Sequence, residues 1–124
     1  MARKPEDHSR QTGPALEQTY QFMLWLVPTV EKFPKSQKFL LGDRIQGTAH
    51  DVLDGLIEAT YSRRCEPLLA GVNLALEKLR FLFRLSMDLH CLDRRRYEFA
   101  ARCLDDIGRQ VGGWLRASRE REAT

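Results

Sequence analysis

The fold is decided at a corner in the first third of the chain, the stretch FPKSQKFLLGDR from Phe33 to Arg44. Pro34 has no backbone N–H and disfavours helical geometry at the residue before it, so the apolar pattern that runs up to Val30 ends here. Ser36 has a side chain suited to capping the next helix, and a periodic pattern then continues to Tyr61. We therefore predict a tight corner between two helices rather than a linker between domains.

Outward from this corner, apolar residues recur at helical spacing in four segments, and strand signals are nearly absent. Pro67 suits the first turn of the third segment, and Asp93 is a good N-cap for the fourth. The predicted helices span residues 15–32, 36–63, 67–90 and 93–119. Four long helices with short corners predict an all-α fold, an antiparallel up-and-down four-helix bundle over residues 15–119.

The two ends of the chain are expected to lie outside the bundle. Pro5, Gly13 and Pro14 interrupt a polar segment of mixed charge, so residues 1–14 are predicted to form a flexible N-terminal tail. Residues 120–124 are predicted to be a disordered C-terminus. With 124 residues and 43% hydrophobic side chains, the chain fits one domain with one core.

Two of the predicted helices carry more apolar surface than one core needs. In the first helix we expect the core set to be Leu16, Tyr20, Leu24, Val27 and Val30. The core stripes predicted for the other three helices are Leu41, Ile45, Thr48, Val52, Leu56 and Ala59, then Leu69, Val72, Leu76, Leu79 and Phe83, then Tyr97, Ala100, Leu104, Ile107, Val111 and Trp114. A neighbouring apolar face of this helix and the face of the third helix opposite its core stripe are left over. We predict that these faces form the interface of a homo-oligomer, through Phe22, Trp25, Leu26, Leu74, Phe81 and Leu85.

Charge and cysteine content indicate which partners and which cellular setting suit the chain. The net charge is +3, and the half from Arg63 onwards holds thirteen Lys and Arg against nine Asp and Glu. Such an excess permits nucleic-acid binding without requiring it. Three cysteines without CxxC spacing argue against a disulfide framework or a zinc site, and favour a cytoplasmic setting. The longest apolar run is far below the roughly 20 residues that span a bilayer, so no membrane partner is expected.

Arginines supply the candidate binding sites. Arg80 and Arg84 lie four residues apart, hence on one face of the third helix, and Lys78 is close by. They could contact nucleic acid, or they could form a solvated face with a Glu77 to Arg80 ion pair. A second set, here called the arginine row, recurs every seven residues along the fourth helix and could track a phosphate backbone or be a solvated outer face. The arginine row comprises Arg95, Arg102, Arg109 and Arg116.

Catalysis is not expected. His90 and Cys91 are adjacent, but adjacent residues at a helix end point in different directions, and their spacing to Asp88 and Asp93 matches no ligand pattern. Neither a glycine-rich phosphate loop nor a carboxylate dyad is present. We therefore predict a protein that is not an enzyme and that uses no metal or cofactor.

Three segments together resemble a known family. They are the corner from Phe33 to Gln46, LEKLRFLFRL from Leu76 to Leu85, and IGRQVGGWL from Ile107 to Leu115. They resemble the four-helix bundle proteins encoded in 23S rRNA intervening sequences, and most closely the accessory variability determinants of diversity-generating retroelements.

The resemblance implies a homopentamer that binds a reverse transcriptase and RNA or DNA during mutagenic cDNA synthesis, without a reaction of its own. It also implies that Arg80 and Arg84 contact the partner or the nucleic acid. The alternative is a structural homo-oligomeric bundle of the intervening-sequence type that has no nucleic-acid or polymerase role.

Overall fold

The computed structural model describes the backbone of residues 6–123 and the side chains of residues 14–122. Within that part of the chain the structure is helical and contains no strand. Four long helices form a bundle, which confirms the predicted fold class. In chain order the elements are α1 (Glu6–Glu31), α2 (Lys35–Gln37), a π-helical turn (Lys38–Gly42), α3 (Asp43–Thr60), α4 (Glu66–Asp88) and α5 (Arg94–Ala123).

Consecutive long helices are neighbours in space, and α5 packs back against α1 to close the bundle. Arg119 of α5 pairs with Glu66 at the start of α4, whereas Asp105, earlier in α5, lies beside Arg80, later in α4. The two helices therefore run in opposite directions. Short connections produce this arrangement because a chain that turns sharply after one helix places the next antiparallel beside it.

The helix ends differ from the predicted ones. α1 begins at Glu6 rather than Ala15, so the expected tail overlaps the helix, and residues 1–5 lie outside the described part. Pro14 is accommodated inside α1, since a proline costs a helix one hydrogen bond without forbidding it. α5 continues to Ala123, so the expected disordered C-terminus is helical up to that residue.

The corner from Phe33 to Arg44 ends one helix and starts the next, as predicted, but Ser36 does not cap it. The new helix begins at Lys35, and the Pro34 carbonyl accepts from the N–H groups of Gln37 at 2.8 Å and Lys38 at 2.9 Å. A π-helical turn then leads into α3. The last residue of this turn is a glycine, and a Cβ there would lie only 2.6 Å from Val30 Cγ1, near the end of α1.

The buried face of α1 corrects the prediction for that helix. Phe22 and Leu26, expected at an oligomer interface, are buried in the core, and Trp25 is partly buried against it. Tyr20 and Leu24, expected in the core, are about half exposed. The reason is that α1 carries two adjacent apolar stripes, and the stripe with the larger aromatic surface is the one that faces the other helices.

The core stripes of the other helices match the prediction. On α3 and α4 every expected core residue is buried, as are those of α5 except Tyr97, which is partly buried. These stripes keep helical spacing throughout, which is why periodicity alone located them. The confirmed set is Leu41, Ile45, Thr48, Val52, Leu56, Ala59, Leu69, Val72, Leu76, Leu79, Phe83, Ala100, Leu104, Ile107, Val111 and Trp114.

The connection between α4 and α5 forms hydrogen bonds with the helix at each of its ends. His90 has φ 65°, and the Cys91 N–H donates to the Ser86 carbonyl at 2.8 Å, which is the pattern of a Schellman motif at a helix C-terminus. Asp93 then caps α5 as predicted, since its Oδ1 accepts from the Arg96 N–H at 2.8 Å. The first turn of α5 is therefore fixed close to the end of α4.

Two glycines of α3 give a matched test of the packing. A Cβ at Gly55 would lie 2.5 Å from Cγ2 of the buried Val72, whereas a Cβ at Gly47 would meet nothing within 4 Å. Because alanine favours a helix interior over glycine by about 1 kcal/mol, Gly47→Ala is expected to raise the free energy of unfolding. Gly55→Ala is expected to lower it, because overpacking costs about 1–3 kcal/mol.

The measurement is urea denaturation of both variants at one protein concentration. If Gly55→Ala were as stable as Gly47→Ala, the close approach of α3 and α4 at this point would be contradicted.

Candidate nucleic-acid interface

The arginine row lies on the outer face of α5. Leu104 and Val111 each follow an arginine of the row by two positions, hence lie on the opposite face of the helix, and both are buried in the core. The arginine row therefore points away from the core. All four arginines are exposed. At 1.5 Å per residue the row extends over about 32 Å. Among the described side chains only one of the four, Arg109, forms an ion pair, with Asp106 of the preceding turn.

Arg80 has a different environment from the row. Its guanidinium donates to Glu77 Oε1 at 2.8 Å on its own helix. It also reaches across to α5, where it lies 3.3 Å from both the Leu104 carbonyl and Asp105 Oδ1. The Glu77 to Arg80 pair that the spacing allowed is therefore present, and Arg80 also joins α4 to α5.

Gly108 makes room for this crossing, a role that the sequence did not reveal. A Cβ at Gly108 would lie 3.1 Å from the Arg80 guanidinium, at Nη2, closer than nearly all side-chain contacts of that kind. The signal in the sequence was a glycine inside a strongly periodic helix, which usually indicates close packing. Arg80 therefore lies against the surface of α5 rather than extending into solvent.

A groove of about 860 Å³ lies between α4 and α5 and is here called the α4–α5 groove. Arg80 and Gly108 are among the residues that line it. Arg80 lies at this groove together with Arg109 and Arg116 of the arginine row. Glu77 and Asp105 also line it, so its charge is mixed. The structure thus brings together two sets of arginines that the sequence placed on separate helices. Three guanidinium groups around one groove can bind phosphate in a bidentate manner, provided that Arg80 and Arg109 exchange their carboxylate partners for it.

Arg84 and Lys78 do not line the α4–α5 groove. Both are exposed, and neither forms an ion pair with another described side chain. Arg84 lies one turn beyond Arg80 along α4, on the side that faces solvent. The pair Arg80 and Arg84 therefore combines one arginine that bridges two helices with one whose charge is uncompensated locally.

The apolar residues predicted on the outer side of α4 are exposed. Leu74 and Phe81 expose more than half of their surface, and Leu85 nearly half. On α1 the exposed apolar residues are Tyr20, Leu24 and Val27, in place of the predicted set on that helix. Singly exposed apolar residues are common on monomers, whereas a contiguous apolar patch marks an interaction surface.

The residues around His90 and Cys91 show no nucleophilic activation. Burial raises the pKa of the Cys91 thiol, which lowers the fraction of thiolate at neutral pH. Burial, followed by the nearby Asp106 carboxylate, raises the pKa of Cys103 as well. Within residues 14–122, no group of three His, Cys, Asp or Glu side chains is placed to hold a metal ion. None of the described helices is long and apolar enough to cross a membrane.

Comparison with known families agrees with the resemblance seen in the three sequence segments. A profile of the bAvd-like family matches residues 15–118, from the first apolar turn of α1 to the last buried residue of α5. No curated protein and no solved structure matches the chain significantly. Since the match covers nearly the whole bundle, the protein belongs to the bAvd-like family.

Proposed function

We propose that this protein is a non-catalytic, nucleic-acid-binding accessory factor of a reverse transcriptase, and that it works in the cytoplasm as a homopentamer. Membership of the bAvd-like family supports the accessory role. The observation that carries the nucleic-acid part is the arginine row, because four exposed guanidinium groups stand in line on one rigid helix.

The dimensions of the arginine row suit a nucleic-acid backbone. Its length of about 32 Å corresponds to about nine nucleotides of a duplex strand, which rises 3.4 Å per nucleotide. Arginine is well suited to phosphate because its planar guanidinium donates two parallel hydrogen bonds. A helix also holds the four groups at constant spacing, so less side-chain entropy is lost on binding than in a flexible tail.

The α4–α5 groove extends this surface sideways. It adds Arg80 next to Arg109 and Arg116, and Arg84 follows one turn later on α4. The carboxylates of Glu77 and Asp105 weaken the local potential, so binding is expected to depend on several simultaneous phosphate contacts. Affinity of that kind falls steeply as the salt concentration rises, because each contact releases counterions.

The first test removes the arginine row without changing the core. A variant with Arg95, Arg102, Arg109 and Arg116 all changed to Gln is expected to lose affinity for structured RNA and duplex DNA. The slope of log affinity against log salt should become shallower by about 3 to 4, since each lost phosphate contact contributes about 0.7–0.9. Fluorescence anisotropy over a range of salt concentrations gives both quantities.

The matched control removes four cations from other surfaces, with Lys32, Lys35, Arg44 and Arg63 changed to Gln. This variant has the same net charge as the first one. Equal losses of affinity in the two variants would show that only net charge matters, and absence of binding by the unchanged protein would favour the structural alternative.

The exposed apolar residues of α1 and α4 support the homopentamer. Leu24 on α1 and Phe81 on α4 each expose more than half of their surface. We infer that these residues belong to apolar patches that the assembly covers. Five copies are proposed from the family resemblance, and the reverse transcriptase partner is proposed on the same ground. A neighbouring reading frame that encodes a reverse transcriptase beside template and variable repeats would support that partner.

The second test is the mass of the protein in solution, measured by light scattering. The unchanged chain is expected to have five times the monomer mass of 14.4 kDa. Phe81→Glu should dissociate the assembly without unfolding the bundle, because the side chain faces outward. His50→Glu, at an exposed polar site of α3, serves as the control and should leave the mass unchanged. A monomeric mass for the unchanged protein would contradict the proposal.

A further inference from the structure

A second groove lies between α1 and α5, at the end of the bundle near residue 14, and is here called the α1–α5 groove. Its volume is about 240 Å³, which is less than the roughly 300–1,000 Å³ of a small-molecule pocket. Phe22, Phe99 and Cys103 give it an apolar lining. The size fits one long side chain rather than a helix or a cofactor.

The polar groups of this groove include several hydrogen-bond acceptors. Glu17 contributes a carboxylate from α1, and Asp106 contributes another from α5. Gln18 also lines the groove, and its buried Oε1 has no hydrogen-bond partner among the described residues. An unsatisfied buried acceptor is costly, so a donor that enters here is favoured. The terminal amide of glutamine rotates easily, which lets Oε1 turn toward such a donor.

These acceptors are only partly engaged by the protein itself. Glu17 Oε2 accepts one hydrogen bond, from Gln21 Nε2 at 2.9 Å. Asp106 pairs with Arg109, yet about half of its side-chain surface remains exposed. An ionised carboxylate has about four lone-pair sites, so both groups retain acceptor capacity.

The charge of the α1–α5 groove is opposite to that of the arginine row. Two carboxylates line this apolar slot and disfavour phosphate, although the neighbouring face of the same helix carries the arginine row and Asp106 pairs with Arg109. We therefore expect the nucleic acid of the proposed function to avoid this groove. A cation with a long apolar stem fits both the acidic rim and the apolar lining.

We propose that the α1–α5 groove is a docking site for an arginine side chain of a partner protein. The three methylenes of arginine would lie on Phe22 and Cys103, and the guanidinium would meet Glu17 and Asp106. Its flat face would stack on Phe99, which is partly exposed and lies with its ring centroid 4.8 Å from that of Trp25. Arginine fits better than lysine because it donates five hydrogen bonds in a plane and is more weakly hydrated.

This assignment rests on the proposed function only in requiring that a protein partner exists. It places that partner on the α1 side of α5, where Asp106 also pairs with Arg109 of the arginine row. Its test does not involve nucleic acid, and its failure would leave the binding measurements on the arginine row unaffected.

The experiment measures protection of Cys103 from alkylation in the full-length protein. The probe is the peptide acetyl-Leu-Arg-Leu-amide, used at millimolar concentration, and the modified cysteines are quantified by mass spectrometry. The peptide is expected to slow alkylation of Cys103 by about twofold at half-saturation. Cys91 is partly exposed at the other end of α5 and should be alkylated at an unchanged rate.

Two matched controls distinguish an interaction that needs the charges of the arginine and the carboxylates from one in which the peptide only covers Cys103. The same peptide with citrulline in place of arginine has nearly the same shape without the charge, and it should not protect Cys103. Glu17→Gln with Asp106→Asn should abolish protection by the arginine peptide. Because Asp106 itself raises the pKa of Cys103, each variant is compared with and without peptide rather than with the unchanged protein.

Three outcomes would overturn the proposal. Equal protection by the citrulline peptide would show that only apolar contact matters, and protection that survives in the double variant would remove the role of the carboxylates. Protection of Cys103 that rises with protein concentration, without any peptide, would assign the groove to a second copy of this chain.

Discussion

The structure depends on the burial of Phe83, which packs α4 against α1 in the core of the bundle. This α4 residue is almost completely buried and meets Phe22 of α1 edge to face, with ring centroids 5.9 Å apart. Trp25 lies 6.5 Å from the same ring and in turn contacts Phe99 of α5. Such aromatic clusters bury large areas, and their ring geometry adds about 0.5–1.5 kcal/mol per pair. One cluster therefore sets the rotation of α1, α4 and α5 about their own axes.

The rotation of the helices decides which faces are available for function. With Phe22 inward, α1 turns Tyr20, Leu24 and Val27 outward. With Leu104 and Val111 inward, α5 turns the arginine row to solvent. The same rotation makes α5 border both grooves. Asp106 lines the α1–α5 groove, and its ion-pair partner Arg109 lines the α4–α5 groove, whose charge is mixed.

Much of the fold follows from the sequence because the core stripes of α3, α4 and α5 keep helical spacing throughout. The prediction for α1 was wrong where two apolar stripes compete, since periodicity finds both and does not rank them. Thr19 and Thr29 mark the side of α1 that faces the core. Both are buried on the core side, and each satisfies its hydroxyl by donating to a carbonyl four residues earlier, at 2.8 Å. Threonine at a core position is therefore compatible with burial, whereas simple hydrophobicity counts against it.

The candidate site was only half predictable for a related reason. The arginine row depends on spacing within one helix, so the sequence alone located it. The α4–α5 groove depends on how two helices slide against each other, and that register is set by contacts such as Arg80 with the Leu104 carbonyl. The cap at Ser36 was likewise predicted from residue type, but the helix begins one residue earlier, at Lys35, so Ser36 lies inside its first turn.

The central claim is that nucleic acid binds along the arginine row of α5. The most direct test is arginine footprinting with a dicarbonyl reagent, in which each modified arginine is quantified with and without bound RNA. If nucleic acid binds along the row, bound RNA protects Arg95, Arg102, Arg109 and Arg116, whereas Arg63 and Arg64 are modified equally in both samples. Protection confined to Arg63 and Arg64, or the same small change at every arginine, would contradict it.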